Sequence, residues 1–280
     1  VNDPLPAAEE RATVLGRPAV FLRRRAPDPS PTRPPVVLLH GAGGNHRSFD
    51  ELVAALDRED VIVPALPGRA GSEGPPPATA AEAAAFVRAL LAALGVERFV
   101  LMGHSYGGGI AIELAVAMGE TPKPPPRAHA GAASPRPSLS GVVLVATGAR
   151  LRVHPSILER ARAAAAGEGP PVDLRAVFQP ETDPGIVARF EARTASVPAA
   201  STLADWIATN AFDRLGALGA LRAPLIALAG DRDALTPPRY AQHFADHVPG
   251  ARVQTVAGAG HMLPVERPEV VAEALRELSS

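Results

Sequence analysis

The sequence predicts an α/β fold, a mostly parallel sheet of about eight strands with helices on both faces. Two observations carry this. Short, strand-sized apolar runs alternate along the chain with amphipathic or Ala-rich stretches, as strand–helix–strand units require. The chain has 280 residues, 46% of them hydrophobic, enough to fill a large core without a disulfide or metal staple.

The elements follow in order. Ala12–Leu15 and Ala19–Arg23, joined across Gly16-Arg17-Pro18, read as an N-terminal hairpin. Val36–Leu39 is a buried strand that runs into a Gly-rich loop and then a helix around Phe49–Leu56. Val61–Val63 is a strand, followed by the loop Pro64–Pro77. Thr79 caps a helix over Ala80–Leu94, with Glu82 in its first turn and Gly95 as its stop. Arg98–Met102 is a strand, Tyr106–Met118 a helix and Val142–Ala146 a strand. Leu225–Ala229 and Arg252–Val256 complete the strand set, with helices near Pro238–Val248 and Pro268–Leu278. The later six strands read as parallel.

Two segments break the rhythm. Gly119–Ser140 is Pro-rich without apolar periodicity and reads as an insertion between a helix and the next strand. Gly148–Gly216 has helical patches at Ile157–Ala166, Ile186–Thr194 and Leu203–Ala211 and no strand, so it is a candidate cap inserted after the sixth strand. The expected organisation is a core in two parts, 1–147 and 217–280, around a cap at 148–216.

Composition excludes several functions. Lys and Arg number 28 against 29 Asp and Glu, and no dense basic block suggests a nucleic-acid or anionic-membrane partner. The absence of cysteine removes thiolate catalysis and Cys-ligated zinc, and fits a reducing, cytoplasmic compartment. No apolar run is long enough to predict a membrane span. His243 and His247 are four apart on an expected helix but lack a glutamate between them and a third ligand, so no metal is expected.

Gly103-His104-Ser105-Tyr106-Gly107 carries the chemistry. A G-x-S-x-G pentapeptide between a strand and a helix makes a sharp turn that lifts the serine hydroxyl above the sheet. A serine nucleophile needs a base, and the base needs an acid to orient it. Gly258-Ala259-Gly260-His261 puts a histidine on a loop after a strand, and Gly230-Asp231-Arg232-Asp233 puts two acids after another. From the residues alone either Asp231 or Asp233 could serve. An oxyanion hole needs two N–H donors, which Tyr106 and Ala42, in the loop His40-Gly41-Ala42-Gly43-Gly44, can supply.

His40-Gly41-Ala42-Gly43, Gly103-His104-Ser105-Tyr106-Gly107-Gly108, Gly230-x-x-Asp233 and Gly258-x-Gly260-His261 together resemble the α/β-hydrolase superfamily across essentially the whole chain. Pro67-Gly68-Arg69-Ala70-Gly71-Ser72 resembles the family's D-x-P-G-x-G-x-S loop, with Ala65 where the acid usually stands. The resemblance selects Asp233 as the acid, makes Gly148–Gly216 the cap and implies that no cofactor is used. His40, Gly41, His104, Leu151, Phe178, Trp206 and Met262 are expected around the substrate, with His40 and His104 as hydrogen-bonding supports rather than bases. Phe178, Phe190, Trp206 and Ile207 fit cap core or pocket wall equally.

The expected activity is hydrolysis of small or medium apolar carboxylic esters through an acyl-enzyme. C–C bond hydrolysis and lactone hydrolysis share these motifs, and a ligand-binding protein on the same scaffold is a reading of another class. The tract Pro122-Lys123-Pro124-Pro125-Pro126-Arg127 also has the composition of a polyproline ligand.

Overall fold

Each central strand alternates its side chains between two apolar layers, as the period of two dictates. Val37 and Leu39 face one layer while Val36 and Leu38 face the other. Leu101 and Val100, then Leu144 and Val145, divide in the same way. A computed structural model describes residues 7–28, 30, 32–119 and 137–279 of the chain.

Among the described residues the sheet has eight strands: β1 (Ala8–Val14), β2 (Arg17–Arg24), β3 (Val36–Leu39), β4 (Val61–Pro64), β5 (Arg98–His104), β6 (Ser138–Val145), β7 (Leu225–Gly230) and β8 (Arg252–Val256). Their spatial order is β1-β2-β4-β3-β5-β6-β7-β8. β1–β2 and β2–β4 pair antiparallel and all other neighbours pair parallel. Helices α1 (Asp50–Ala55), α8 (Leu263–Glu266) and α9 (Pro268–Ser279) cover one face. Helices α2 (Ala80–Ala93), α3 (Tyr106–Gly119) and α7 (Arg239–His247) cover the other. This is the α/β-hydrolase architecture.

Local chemistry sets the element ends. The Thr79 hydroxyl accepts the Glu82 N–H at 3.1 Å at the start of α2, and the Glu82 carboxylate reaches back to the Ala78 N–H at 2.9 Å, a variant of the capping box. The N-terminal hairpin turns on Leu15-Gly16, both at positive φ, with Val14 paired to Arg17. The expected turn over Gly16-Arg17-Pro18 is therefore corrected. A two-residue turn with both residues left-handed matches strand twist best, and Pro18 is tolerated near a strand start.

Strand β6 begins at Ser138, inside the stretch expected to be insertion, because Arg98 and Phe99 of β5 offer Ser138 and Leu139 a parallel partner. Residues 120–136, including the polyproline-like tract, lie outside the described residues.

Between β6 and β7 the described chain is helical: α4 (Pro155–Ala165), α5 (Pro184–Thr194) and α6 (Ala199–Ala211), with 3-10 turns at Arg175–Val177 and Leu215–Ala220. These helices pack their own small apolar clusters, one around Phe178, Phe190 and Met262 and another around Val153, Ala161 and Trp206. Among the described residues no helix is long and apolar enough to cross a membrane.

Candidate active site

The site stands at the carboxyl ends of β3, β5, β7 and β8, where parallel α/β sheets bind their ligands. β5 ends at His104 and α3 begins at Tyr106, which leaves Ser105 alone in the turn. Its φ is +52°, a left-handed conformation that costs an L-residue about 1–2 kcal/mol. The neighbouring elements hold it there. The Ser105 N–H donates to the Val145 carbonyl at 3.0 Å, and the Ser105 carbonyl accepts the Gly108 N–H at 2.9 Å and the Thr147 hydroxyl at 2.8 Å. Close approach explains the second glycine of the pentapeptide, since a Cβ at Gly107 would collide with the Leu39 carbonyl oxygen.

His261 follows β8 on its glycine-bearing loop and is buried. Its Nδ1 lies 2.9 Å from Asp233 Oδ2. Asp233 is equally buried and fully engaged. Its Oδ1 accepts the N–H groups of Leu235 at 2.8 Å and Thr236 at 2.9 Å, and its Oδ2 also accepts the Thr236 hydroxyl at 2.6 Å. Burial alone would raise the Asp233 pKa, but the hydrogen bond and charge of His261 and the Thr236 donors outweigh it and hold the group well below the usual carboxylate range. Asp231 is exposed and instead accepts the Gly258 N–H at 2.8 Å, bracing the loop that leads to His261.

The two other histidines predicted near the site bond backbone carbonyls. His104 Nε2 donates to the His261 carbonyl at 2.9 Å, with the two rings 5.0 Å apart. His40 Nδ1 donates to the Gly41 carbonyl at 2.9 Å. Burial pushes both imidazoles down to about 3, helped by the charge of Arg69 at His40 and of His261 at His104. Both are neutral at ordinary pH.

Two cavities meet at Ser105 and His261, and Trp206 and Leu235 line both. The smaller, about 30 Å³, is bounded by Gly41, Ala42, His104 and Met262 together with Leu174 and Phe190. The larger, about 310 Å³, runs past Leu151, Val153, Ile157, Thr236 and Tyr240. Of the residues expected around the substrate, Gly41, His104, Leu151, Trp206 and Met262 line these cavities.

His40 and Phe178 do not line either cavity. His40 is buried beneath the loop that it bonds. Phe178 packs edge-on against Phe190, ring centroids 5.3 Å apart, in a cluster with Met262 and Val265. Sequence reading also missed Thr236, for which the Asp-x-x-Thr spacing was the available signal. It missed the cavity-lining Leu174 and Leu235, which carry no local signature.

The alpha/beta hydrolase family pattern matches residues 36–274, and the chain belongs to that family. Family and fold are those of hydrolytic enzymes. At 30% identity over 259 residues, 86% of the chain is similar to polyketide synthase ThaQ of Burkholderia thailandensis, of whose length it spans only 12%. It is 27% identical to RutD of Pseudomonas savastanoi pv. phaseolicola, named as a candidate carbamate hydrolase, over 84% of this chain and 89% of that protein. Among solved structures, a thermophilic esterase from Thermogutta terrifontis is similar at TM-score 0.76 and 25% identity, covering 98% of this chain and 100% of that one.

Proposed function

We propose that the chain is a serine hydrolase of small or medium apolar carboxylic esters. The reading rests on one observation above all. A histidine hydrogen-bonded at 2.9 Å to a fully engaged buried carboxylate shares its cavity walls with a serine held in a left-handed strand-to-helix turn. The likeness to the Thermogutta esterase is in keeping with an ester substrate.

In this reading Asp233 holds His261 Nδ1–H, which leaves Nε2 free as base. Ser105 Oγ attacks the carbonyl carbon and its proton passes to Nε2. The oxyanion accepts the N–H groups of Ala42 and Tyr106. Tyr106 is the first residue of α3, where an N–H has no helical acceptor, and each such donor contributes about 3 kcal/mol to the transition state. The C–O bond then breaks, Nε2–H protonates the departing alkoxide, and an acyl-enzyme and an alcohol result. Water adds to the acyl carbon as Nε2 takes its proton, and collapse releases the acid while the proton returns to Ser105.

The helical segment 148–216 serves as the cap, since Leu151, Leu174 and Trp206 close the cavities from that side. A cavity of about 310 Å³ suits a small to medium group, at the lower end of ligand sites.

The test is hydrolysis of p-nitrophenyl esters from acetate to decanoate by the wild type and Ser105→Ala. Turnover that disappears in the variant, with an optimum at short or medium chains, is expected. Folded wild-type protein that turns over none of them while binding a ligand stoichiometrically would overturn the reading in favour of a receptor.

A further inference from the structure

Arg69 and Asp205 form an ion pair whose side chains are both 0% exposed. Arg69 comes from the loop after β4 and Asp205 from α6, 136 residues apart. The contact is two-pronged, Nη1 to Oδ2 at 2.6 Å and Nη2 to Oδ1 at 2.7 Å, the geometry in which a guanidinium and a carboxylate hold each other best. Each partner also holds backbone of the loop after β3. Asp205 Oδ2 accepts the Gly43 N–H at 3.0 Å, and Arg69 Nη1 donates to the Gly44 carbonyl at 3.1 Å.

That loop is a turn closed by the Gly44 N–H on the Gly41 carbonyl at 3.1 Å. Gly43 has φ +72° and Ala42 is not left-handed, which makes it a type II turn. The Gly41 carbonyl is the other end of the rigid peptide unit that carries the Ala42 N–H, and it takes the His40 Nδ1–H as well. Fixing Gly43 and Gly44 therefore fixes the direction of the Ala42 N–H. Desolvating two charges costs enough that a buried pair adds little net stability, so conformational definition is what this pair offers.

We infer that Asp205 is a positioning residue for the oxyanion loop, with Arg69 as the counter-charge that keeps its buried carboxylate in place, so that α6 of the helical segment holds the Ala42 N–H on its target. This rests on the ester-hydrolase reading only in the purpose it gives that N–H. The Ser201 hydroxyl, which donates to the Gly68 carbonyl at 2.7 Å, ties the same helix to the Arg69 loop.

The test removes both charges together, so that neither is stranded. One protein carries Arg69→Met with Asp205→Leu. The other carries Arg69→Met with Asp205→Asn, which keeps an oxygen for the Gly43 N–H. With p-nitrophenyl butyrate, the first should lose about 30-fold in kcat with KM changed less than about twofold, as loss of a transition-state contact demands. The second should recover to within about threefold of wild type. Hydrogen exchange at the Gly43 amide should quicken at least about tenfold in the first protein only.

Wild-type kcat in the Leu variant, or equal losses in both variants with unchanged Gly43 exchange, would overturn the inference. A wild type inactive on the ester would defeat the esterase reading, and the rate of Ser105 phosphonylation by a fluorophosphonate then carries the same comparison. The same pattern of loss and recovery upholds the positioning role, and level rates or a wild type that is never labelled overturn it.

Discussion

Asp233 and Asp205 are both buried carboxylates that accept backbone N–H groups and face one nitrogen-bearing side chain, and the nature of that partner separates them. Asp233 faces His261, an imidazole, the side-chain type suited to general acid–base work. Asp205 faces Arg69, a guanidinium, the side-chain type suited to a two-pronged carboxylate contact. A pair of the first kind can serve proton transfer. A pair of the second kind fixes geometry. The same carboxylate chemistry thus supports the proposed reaction at one loop and the shape of the loop after β3 at another.

The comparison can be broken at either pair. Ser105→Ala or His261→Ala should cost about 10⁵–10⁶ in kcat, and the double variant little more, because such a unit fails as a whole. Multiplying losses in steady-state kinetics would mean that the two act separately. Asp233→Asn should cost about 10⁴ with the fold intact, whereas Asp231→Asn, at an exposed side chain that accepts the Gly258 N–H, should stay within about threefold. The reverse ranking would move the acid to Asp231.

At the other pair, Arg69→Met alone strands Asp205 and should destabilise the chain by about 3–5 kcal/mol in urea melts. The Arg69→Met, Asp205→Leu protein should regain most of that. A single variant as stable as wild type would show that the pair is not desolvated in solution.

The histidines give the finest distinction. His40 and His104, pushed down to about 3 by burial, refuse protons that the unfolded chain binds below its ordinary value of about 6.5. Stability should therefore fall as pH drops from about 6.5 toward 3, by up to about 1.4 kcal/mol per pH unit for each histidine. Melts of wild type and His40→Asn between pH 7 and 4 read the slope. A stability independent of pH in that window would contradict their neutral burial.

What was legible in the sequence was local or strongly periodic. The Ser105 turn could be read because its whole geometry lies within Gly103–Gly107, bounded by a strand and a helix. The α2 cap could be read because Thr79 and Glu82 meet within one turn. The N-terminal hairpin was displaced because a two-residue turn with Leu15 at φ +51° has no composition signal when the first residue is leucine rather than asparagine or aspartate. Phe178 was ambiguous because apolar residues of a cap serve a core and a cavity wall alike. The structure gives it to the cluster around Phe190.

The sequence by itself determined the alternation of strands and helices, the serine turn and the histidine loop, since each is encoded by neighbours along the chain and by the periods of two and 3.6 residues. The residues alone left Asp231 and Asp233 open, and only the resemblance favoured Asp233. The tertiary structure turns Asp233 inward to His261 and leaves Asp231 on the Gly258 N–H, because both follow β7 and the difference lies in how the loop folds. Only the tertiary structure brought Asp205 and Arg69 to Gly43 and Gly44. That contact joins three segments far apart in the chain, and no local rule links residues whose meeting depends on how a helical segment settles on a sheet.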